Sequence, residues 1–209
     1  MPLKSQPEYK PREHDGSVYS IVPVQDKSRE GLNLTKVVHA LKLPFSRQLA
    51  VPMLELERFT DLDVEYIATK IRGAILDVDG TLVEHHGQIF DPKVIATIEE
   101  LRRVMPVCIF SNNSDSRPAL LELGLPVVTN VKPKPHPEGF LVATEKYLDG
   151  LNPREVGMFG DNYLTDGGCR YLDMPFIHVK PIPGPERFFH RKSRDYGIWA
   201  SKLHHRVTT

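Results

Sequence analysis

Cysteine is scarce in this chain, where Cys108 and Cys169 are the only two among 209 residues. Two thiols cannot build a disulfide framework. They also lack the paired spacing of a zinc site, so both read as reduced, cytosolic-type cysteines. Long apolar runs are missing as well, and none approaches the ~20 residues needed to span a bilayer. Neither sign of charge prevails, because 27 Lys and Arg face 27 Asp and Glu. Overall charge therefore gives no ground for a nucleic-acid or acidic partner. The opening stretch "MPLKSQPEYKPREHDG" has no apolar stretch of the secretory kind, and Glu8, Glu13 and Asp15 argue against a mitochondrial transit peptide. These absences fit a cytoplasmic protein; peripheral contact with the inner face of a membrane, or a mitochondrial matrix location, stays compatible with them.

The order along the chain is informative. Residues 1–30 are polar and Pro-bearing and read as a flexible extension. Residues 31–61 form a helical lead-in. Within it Leu34, Val37, Val38 and Leu41 recur at helical spacing, with Asn33 as a cap and Pro44 as a stop. The stretch "PFSRQLAVPMLELERF" that follows reads as helix and loop packed on the flank, or else as a surface that touches a membrane. From 62 to 184, strand and helix patterns alternate. "GAILDV", "PVCIFSNN", "PVVTN", "VGMFG" and "PFIHVKPI" read as strands. Helices fall on "VEYIATKI", on "DPKVIATIEELRRV" with Val94, Ile95, Ile98 and Leu101 on one face, on "SRPALLELG" and on "PEGFLVATEKYLDG". Alternation of this kind predicts an α/β fold: a Rossmann-like, doubly wound parallel sheet. Residues 185–209 form a tail that mixes Arg187, Arg191, Lys192 and Arg194 with Phe188, Phe189, Tyr196 and Trp199. It reads either as a solvated helix packed on the domain or as an interfacial segment.

In such a sheet, ligands bind at the carboxyl ends of the strands. Three strand ends carry reactive residues: "DVDGT" with Asp77 and Asp79, "SNN" with Ser111, Asn112 and Asn113, and "GDNYLTD" with Asp161 and Asp166. The "KPKP" loop adds Lys132 and Lys134. Four acids in one crevice require a cation, and an all-oxygen set suits Mg²⁺. Residues i and i+2 of a strand point the same way, so Asp77 and Asp79 can both face a reacting centre. One can attack phosphorus while the other handles protons. Gly80 would permit the sharp turn, and the Thr81 hydroxyl would tie it.

These four stretches, in this order, resemble the haloacid-dehalogenase-like (HAD) superfamily of Mg²⁺-dependent phosphatases. The resemblance implies Asp77 as the nucleophile that becomes an aspartyl-phosphate and Asp79 as general acid and base. It implies Ser111, Asn112 and Lys134 at the phosphate. The metal would be held by Asp77, the backbone carbonyl of Asp79, and Asp161, with Asp166, Thr81 and Gly80 in support. Lys132 is the rival of Lys134. Asp77 and Ser111 are 34 positions apart and Ser111 and Lys134 are 23, too close for a large cap domain in either gap. An open site suits a bulky substrate, or a partner or membrane that closes it.

Within the capless branch the chain is similar to the YqeG/Gep4-type phosphatidylglycerophosphatase group through "TLVEHH", "IFSNN", "KPKP", "GDNYLTDGGCR" and "VKPIPG". It departs from that group at Gly80, where Asn is common, and at His85, where an aromatic is. The function so implied is removal of phosphate from phosphatidylglycerophosphate at a membrane surface, in phospholipid synthesis. A soluble phosphatase of a sugar phosphate, histidinol phosphate or nucleotide is the second reading, and a non-catalytic scaffold the third. The partners expected are a phosphate monoester and an anionic lipid surface, with no nucleic acid. His85 and His86 read equally as a solvated pair or as substrate contacts. His204 and His205 read as tail residues, Cys169 as packing, Asn113 and Asn162 as turn caps or orienting groups, and Arg170 as a surface residue.

Overall fold

The structure, a computed structural model, describes residues 34–85, 87, 89–113, 123–184 and 188–205. The extension 1–30, Asn33, His86, Arg187 and most of the helix expected over "SRPALLELG" lie outside the described residues. Five strands form one sheet: β1 (Leu54–Leu56), β2 (Gly73–Leu76), β3 (Val107–Ile109), β4 (Val156–Gly160) and β5 (Phe176–Val179), in the order β1-β5-β4-β2-β3. Every pairing is parallel. The helices are α1 (Leu34–Lys42), α2 (Arg47–Ala50), α3 (Val64–Ala68), α4 (Pro92–Val104), α5 (Pro137–Val142) and α6 (Phe188–His205). This is the α/β, Rossmann-like sheet expected of the strand–helix alternation.

Strands β2 to β5 are buried on both faces, and their side chains alternate between two cores. Ala74, Leu76, Val107, Ile109, Phe159, Ile177 and Val179 join α3 and α4 on one side. Ile75, Cys108, Val156, Met158 and Phe176 join α2 and α5 on the other. Alternation with period 2, apolar on both faces, is what a sheet covered by helices requires. α4 starts at Asp91, whose side chain accepts from Lys93 N, with Pro92 in the first turn. It buries Val94, Ile98 and Leu101, but Ile95, which was expected on that face, points outward.

Two expectations fail for identifiable reasons. The stretch after Pro44 contains β1, an edge strand paired with β5; three residues are too few to show a period of 2. "PVVTN" contributes only a single bridge, Ile109 to Val127, and no strand of its own. The helix expected over residues 33–43 forms as α1, with its apolar row turned outward: Leu34 is 79% exposed and Leu41 67%, while His39 is buried. Two hydrogen bonds set the rotation of this helix. His39 Nε2–H donates to the Tyr163 carbonyl at 3.0 Å, and Nδ1 accepts from the Tyr171 hydroxyl at 2.9 Å.

β2 places the site. β3 lies on one side of it and β4 on the other, so the chain reverses direction across the sheet there. Leu76 is level with Ile109 and Phe159. The residues after these three strands therefore emerge side by side at one crevice.

Burial pulls the His39 imidazole down from its ordinary 6.5 to about 4. The folded chain thus keeps it neutral where the unfolded chain has already taken a proton, and stability is lost as pH falls from 6.5 toward 4. Urea titrations should show a loss on the order of 3 kcal/mol over that window that is absent in His39→Gln. Equal pH slopes in the two proteins would remove this assignment.

Candidate active site

Asp77 follows β2 directly, and its N–H donates to the Phe159 carbonyl at 2.9 Å, which continues the ladder one residue past the strand. The chain then turns back. Gly80 takes φ +81, and the turn is closed by backbone bonds: Gly80 N to Val83 O at 2.7 Å, and the N–H groups of Thr81, Leu82 and Val83 to Val78 O. The Thr81 hydroxyl, expected to tie this turn, is buried without a hydrogen-bond partner among the described residues. A left-handed residue is needed at position 80, and a Cβ there would also lie 2.5 Å from Asp161 Oδ2.

Lys134 is the centre of the charge arrangement. Its Nζ lies 2.6 Å from Asp77 Oδ1 and 2.5 Å from Asp166 Oδ1, with only 1% of the side chain exposed. Lys132 instead lies at the surface, 3.4 Å from Glu138 Oε2 and away from the acids. Asn112 fixes Lys134 through both ends of its amide, donating to Lys134 O at 3.0 Å and accepting from Lys134 N at 2.7 Å. That side chain is spent on the lysine, which leaves the backbone amide, the Asn112 donor expected at the phosphate, for an anion. The Ser111 hydroxyl accepts from Asn113 N at 3.2 Å. Asn113, read in the sequence as a cap, donates its amide to Asp79 Oδ2 at 3.1 Å and orients that acid.

Asp161 follows β4 and is buried, as is Asp166. Asp166 Oδ2 accepts from Asn162 N at 3.0 Å, which turns its carboxyl back toward the strand end. Asp77, Asp161 and Asp166 each offer an oxygen within 4.8 Å of the others, the only such cluster among the described residues. Asp79 stands at the rim, half-buried. Burial pushes the Asp77 carboxyl up to about 7; Lys134 opposes this, and Asp166 and Asp79 add to it. Burial, then Asp166 and Asp77, push Asp161 up as well. Burial disfavours the Lys134 ammonium, yet Asp166 and Asp77 hold it above the ordinary lysine value.

Two residues at the site carried no signal in the sequence. His178, on β5, donates from Nε2 to the Asp161 carbonyl at 3.2 Å. Arg194, on α6, places Nη1 2.8 Å from Asp161 Oδ2 and 2.9 Å from His85 Nε2. Arg194 had been noted only for its tail charge, and no spacing rule links position 194 to position 161. His85 thus belongs to the site. Asn162 caps its turn by accepting from Leu164 N and tethers α6 by donating to Ser193 Oγ. Arg170 hydrogen-bonds the Gln48 and Met174 carbonyls and is structural. Cys108 and Cys169 are buried, and burial pushes both thiols up, so neither is a nucleophile.

The acids fit a divalent cation. Asp77, Asp79, Asp161 and Asp166 face two cations, Lys134 and Arg194. Two negative charges are left over in a place where burial makes charge costly, and the donors are all oxygen.

The family model described as "Mitochondrial PGP phosphatase" matches residues 34–167. The chain belongs to this family. Among curated relatives, "Probable phosphatase YqeG" of Bacillus subtilis is 32% identical over 129 residues, covering 59% of this chain and 73% of the relative. "Phosphatidylglycerophosphatase GEP4, mitochondrial" of Saccharomyces cerevisiae is 30% identical over 149 residues, covering 65% of this chain and 80% of the relative. No solved structure matches the chain. This member of the PGP-phosphatase family is a HAD-type phosphatase, a phosphoric monoester hydrolase acting on a phosphate ester, and its buried aspartates suit a divalent metal.

Removing the ammonium leaves Asp77 and Asp166 buried side by side without their cation. Lys134→Met should destabilise the fold by about 3–5 kcal/mol at pH 7. Urea titration at pH 5 should show a smaller deficit, because Asp77, already pushed up by burial, can then take up a proton. A deficit that does not depend on pH would refute the charge argument.

Proposed function

We propose that this phosphatase removes the terminal phosphate of phosphatidylglycerophosphate at a membrane surface. The observation that carries the chemistry is the convergence of Asp77, Asp161 and Asp166 around Lys134, with Asp79 held at the rim by Asn113. Asp77 attacks phosphorus and the P–O bond to the glycerol breaks. Asp79 gives its proton to the departing oxygen, leaving an aspartyl-phosphate on Asp77. Asp79 then takes a proton from water, the water oxygen attacks the same phosphorus, and Asp77 is regenerated as inorganic phosphate leaves. Lys134 balances charge at Asp77 throughout. Ser111 and the backbone amide of Asn112 are the donors for the equatorial oxygens; the Gly80 amide is held in the turn by Val83 O. Mg²⁺ would be held by Asp77, the Asp79 carbonyl and Asp161, with Asp166 behind them; when bound it neutralises charge and polarises the phosphoryl group.

The lipid assignment draws on the yeast relative's name and on the outer surface of the lead-in. Leu34, Val38, Leu41 and Phe45 form an exposed apolar row beside the exposed cations Lys42 and Arg47, and Phe45 is 88% exposed. Apolar side chains rimmed by cations suit the interface of an anionic bilayer. Among the described residues no helix is long and apolar enough to cross a membrane, so contact with lipid would be peripheral.

Phosphate release from phosphatidylglycerophosphate in mixed micelles tests this reading. The wild type should be active with Mg²⁺ and silent in EDTA, and Asp77→Asn should lose roughly 10³-fold or more. Activity that survives Asp77→Asn would overturn the mechanism. Turnover of small esters with none of the lipid would overturn the substrate. In flotation with anionic vesicles, Leu41→Glu and Phe45→Glu should each lower the bound fraction. Binding that persists in both variants would exclude this face.

A further inference from the structure

Arg194 reaches the site from outside residues 34–167, the part that matches the family. Asp77, Asp79, Ser111, Lys134, Asp161 and Asp166 all lie inside that part. The bond-breaking machinery is therefore complete without α6, and a cation brought in from elsewhere adds something other than bond breaking.

The guanidinium is held in place before any ligand arrives. Gly197 seats α6 on Tyr163: a Cβ there would lie 2.6 Å from Tyr163 Cβ. Asn162 Nδ2 donates to Ser193 Oγ at 3.0 Å, and the Tyr196 hydroxyl donates to the Ala40 carbonyl at 2.9 Å. Ala200 is fully buried. Only 9% of the Arg194 side chain is exposed. Pre-positioning of this kind lowers the ordering cost of binding.

Its position separates it from Lys134. Lys134 lies on Asp77 and Asp166, the nucleophile side. Arg194 lies on Asp161 and His85, where the missing side chain of Gly80 leaves room: a Cβ at Gly80 would stand 2.5 Å from Asp161 Oδ2 and 3.3 Å from His85 Nε2. An arginine N–H can only donate, so His85 Nε2 accepts and the imidazole is neutral on that side. A cation pressed against Asp161 repels a divalent ion rather than helping Asp161 hold one. The charge that gains from it is an anion. The reacting phosphate already has Lys134, Ser111 and the Asn112 backbone amide. A planar fork of donors beside them suits a second phosphate oxygen pair.

We propose that Arg194, steadied by His85, binds a phosphodiester adjacent to the scissile phosphomonoester, and so makes the site prefer substrates that carry both groups. The assignment rests on the lipid reading above. It is tested with two soluble esters: the deacylated headgroup, which carries a phosphodiester and a phosphomonoester, and p-nitrophenyl phosphate, which carries a monoester alone. The wild type should favour the headgroup in kcat/KM. Arg194→Gln should lower the ratio of the two kcat/KM values by roughly 10- to 100-fold, mainly through KM, and Arg194→Lys should recover part of it. Mn²⁺ binding followed by electron paramagnetic resonance should be as tight in Arg194→Gln as in the wild type, or tighter. Arg194→Lys should melt close to the wild type and Arg194→Gln lower, because it strands buried Asp161; all kinetics are read well below the transitions. Equal losses on both esters with weakened Mn²⁺ binding would overturn the proposal and make Arg194 a positioning residue for Asp161. A wild type with no preference for the headgroup overturns the lipid reading itself. A preference that Arg194→Gln leaves unchanged overturns only the role of Arg194.

Discussion

One buried ammonium organises this molecule. Lys134 stands between Asp77 and Asp166 and over the face of Phe110, 5.4 Å from the ring centroid. Without that charge Asp77 and Asp166 would repel each other in a place where water cannot screen them. With it they sit together, and Asn112 grips the lysine backbone from the next strand end. Three strand ends and one loop are thus tied by a single residue, through its ammonium and its backbone. The pairing is still incomplete, because more acid than base faces the crevice. That surplus makes the pocket suited to a divalent ion.

How much of this could be read in the letters depended on how local the cause was. The parallel sheet, the acids after "GAILDV" and "VGMFG", and the lysine of "KPKP" followed from patterns that act within a few residues. Lys134 could be preferred to Lys132 because a helix opens just after it, and Lys132 does lie out at the surface on Glu138. Causes that act across the fold left no such trace. The rotation of α1 is fixed by His39 reaching Tyr163 and Tyr171, each more than a hundred residues away. The amide of Asn112 is used on Lys134, and that of Asn113 on Asp79, because of where loops meet in space. Arg194 is the strongest case, since a basic residue in an amphipathic tail reads as solvated until its helix is seen lying on Tyr163.

The spacing of the motifs leaves no room for a cap domain in either interval, and that remains true. The crevice is still not bare on every side. α6 lies across its flank, tied to Asn162 and to the carbonyl of Ala40. The lead-in helix and the final helix therefore meet each other beside the acids. The apolar row of α1 and the cation on α6 belong to one corner of the molecule, where a hydrocarbon surface and a charged headgroup would also be neighbours.

The sheet order carries a consequence for assembly. β1 pairs with β5, joining Leu54 to Ile177 across most of the described chain. Pairings between such distant segments close late, because the loop entropy must be paid before the contact forms. During synthesis the segment from α1 to β1 emerges long before its partner strand exists. Its leucines and Phe45 then wait in solution or on a chaperone. The surface suited to lipid in the finished enzyme is the one the newborn chain must keep from sticking elsewhere.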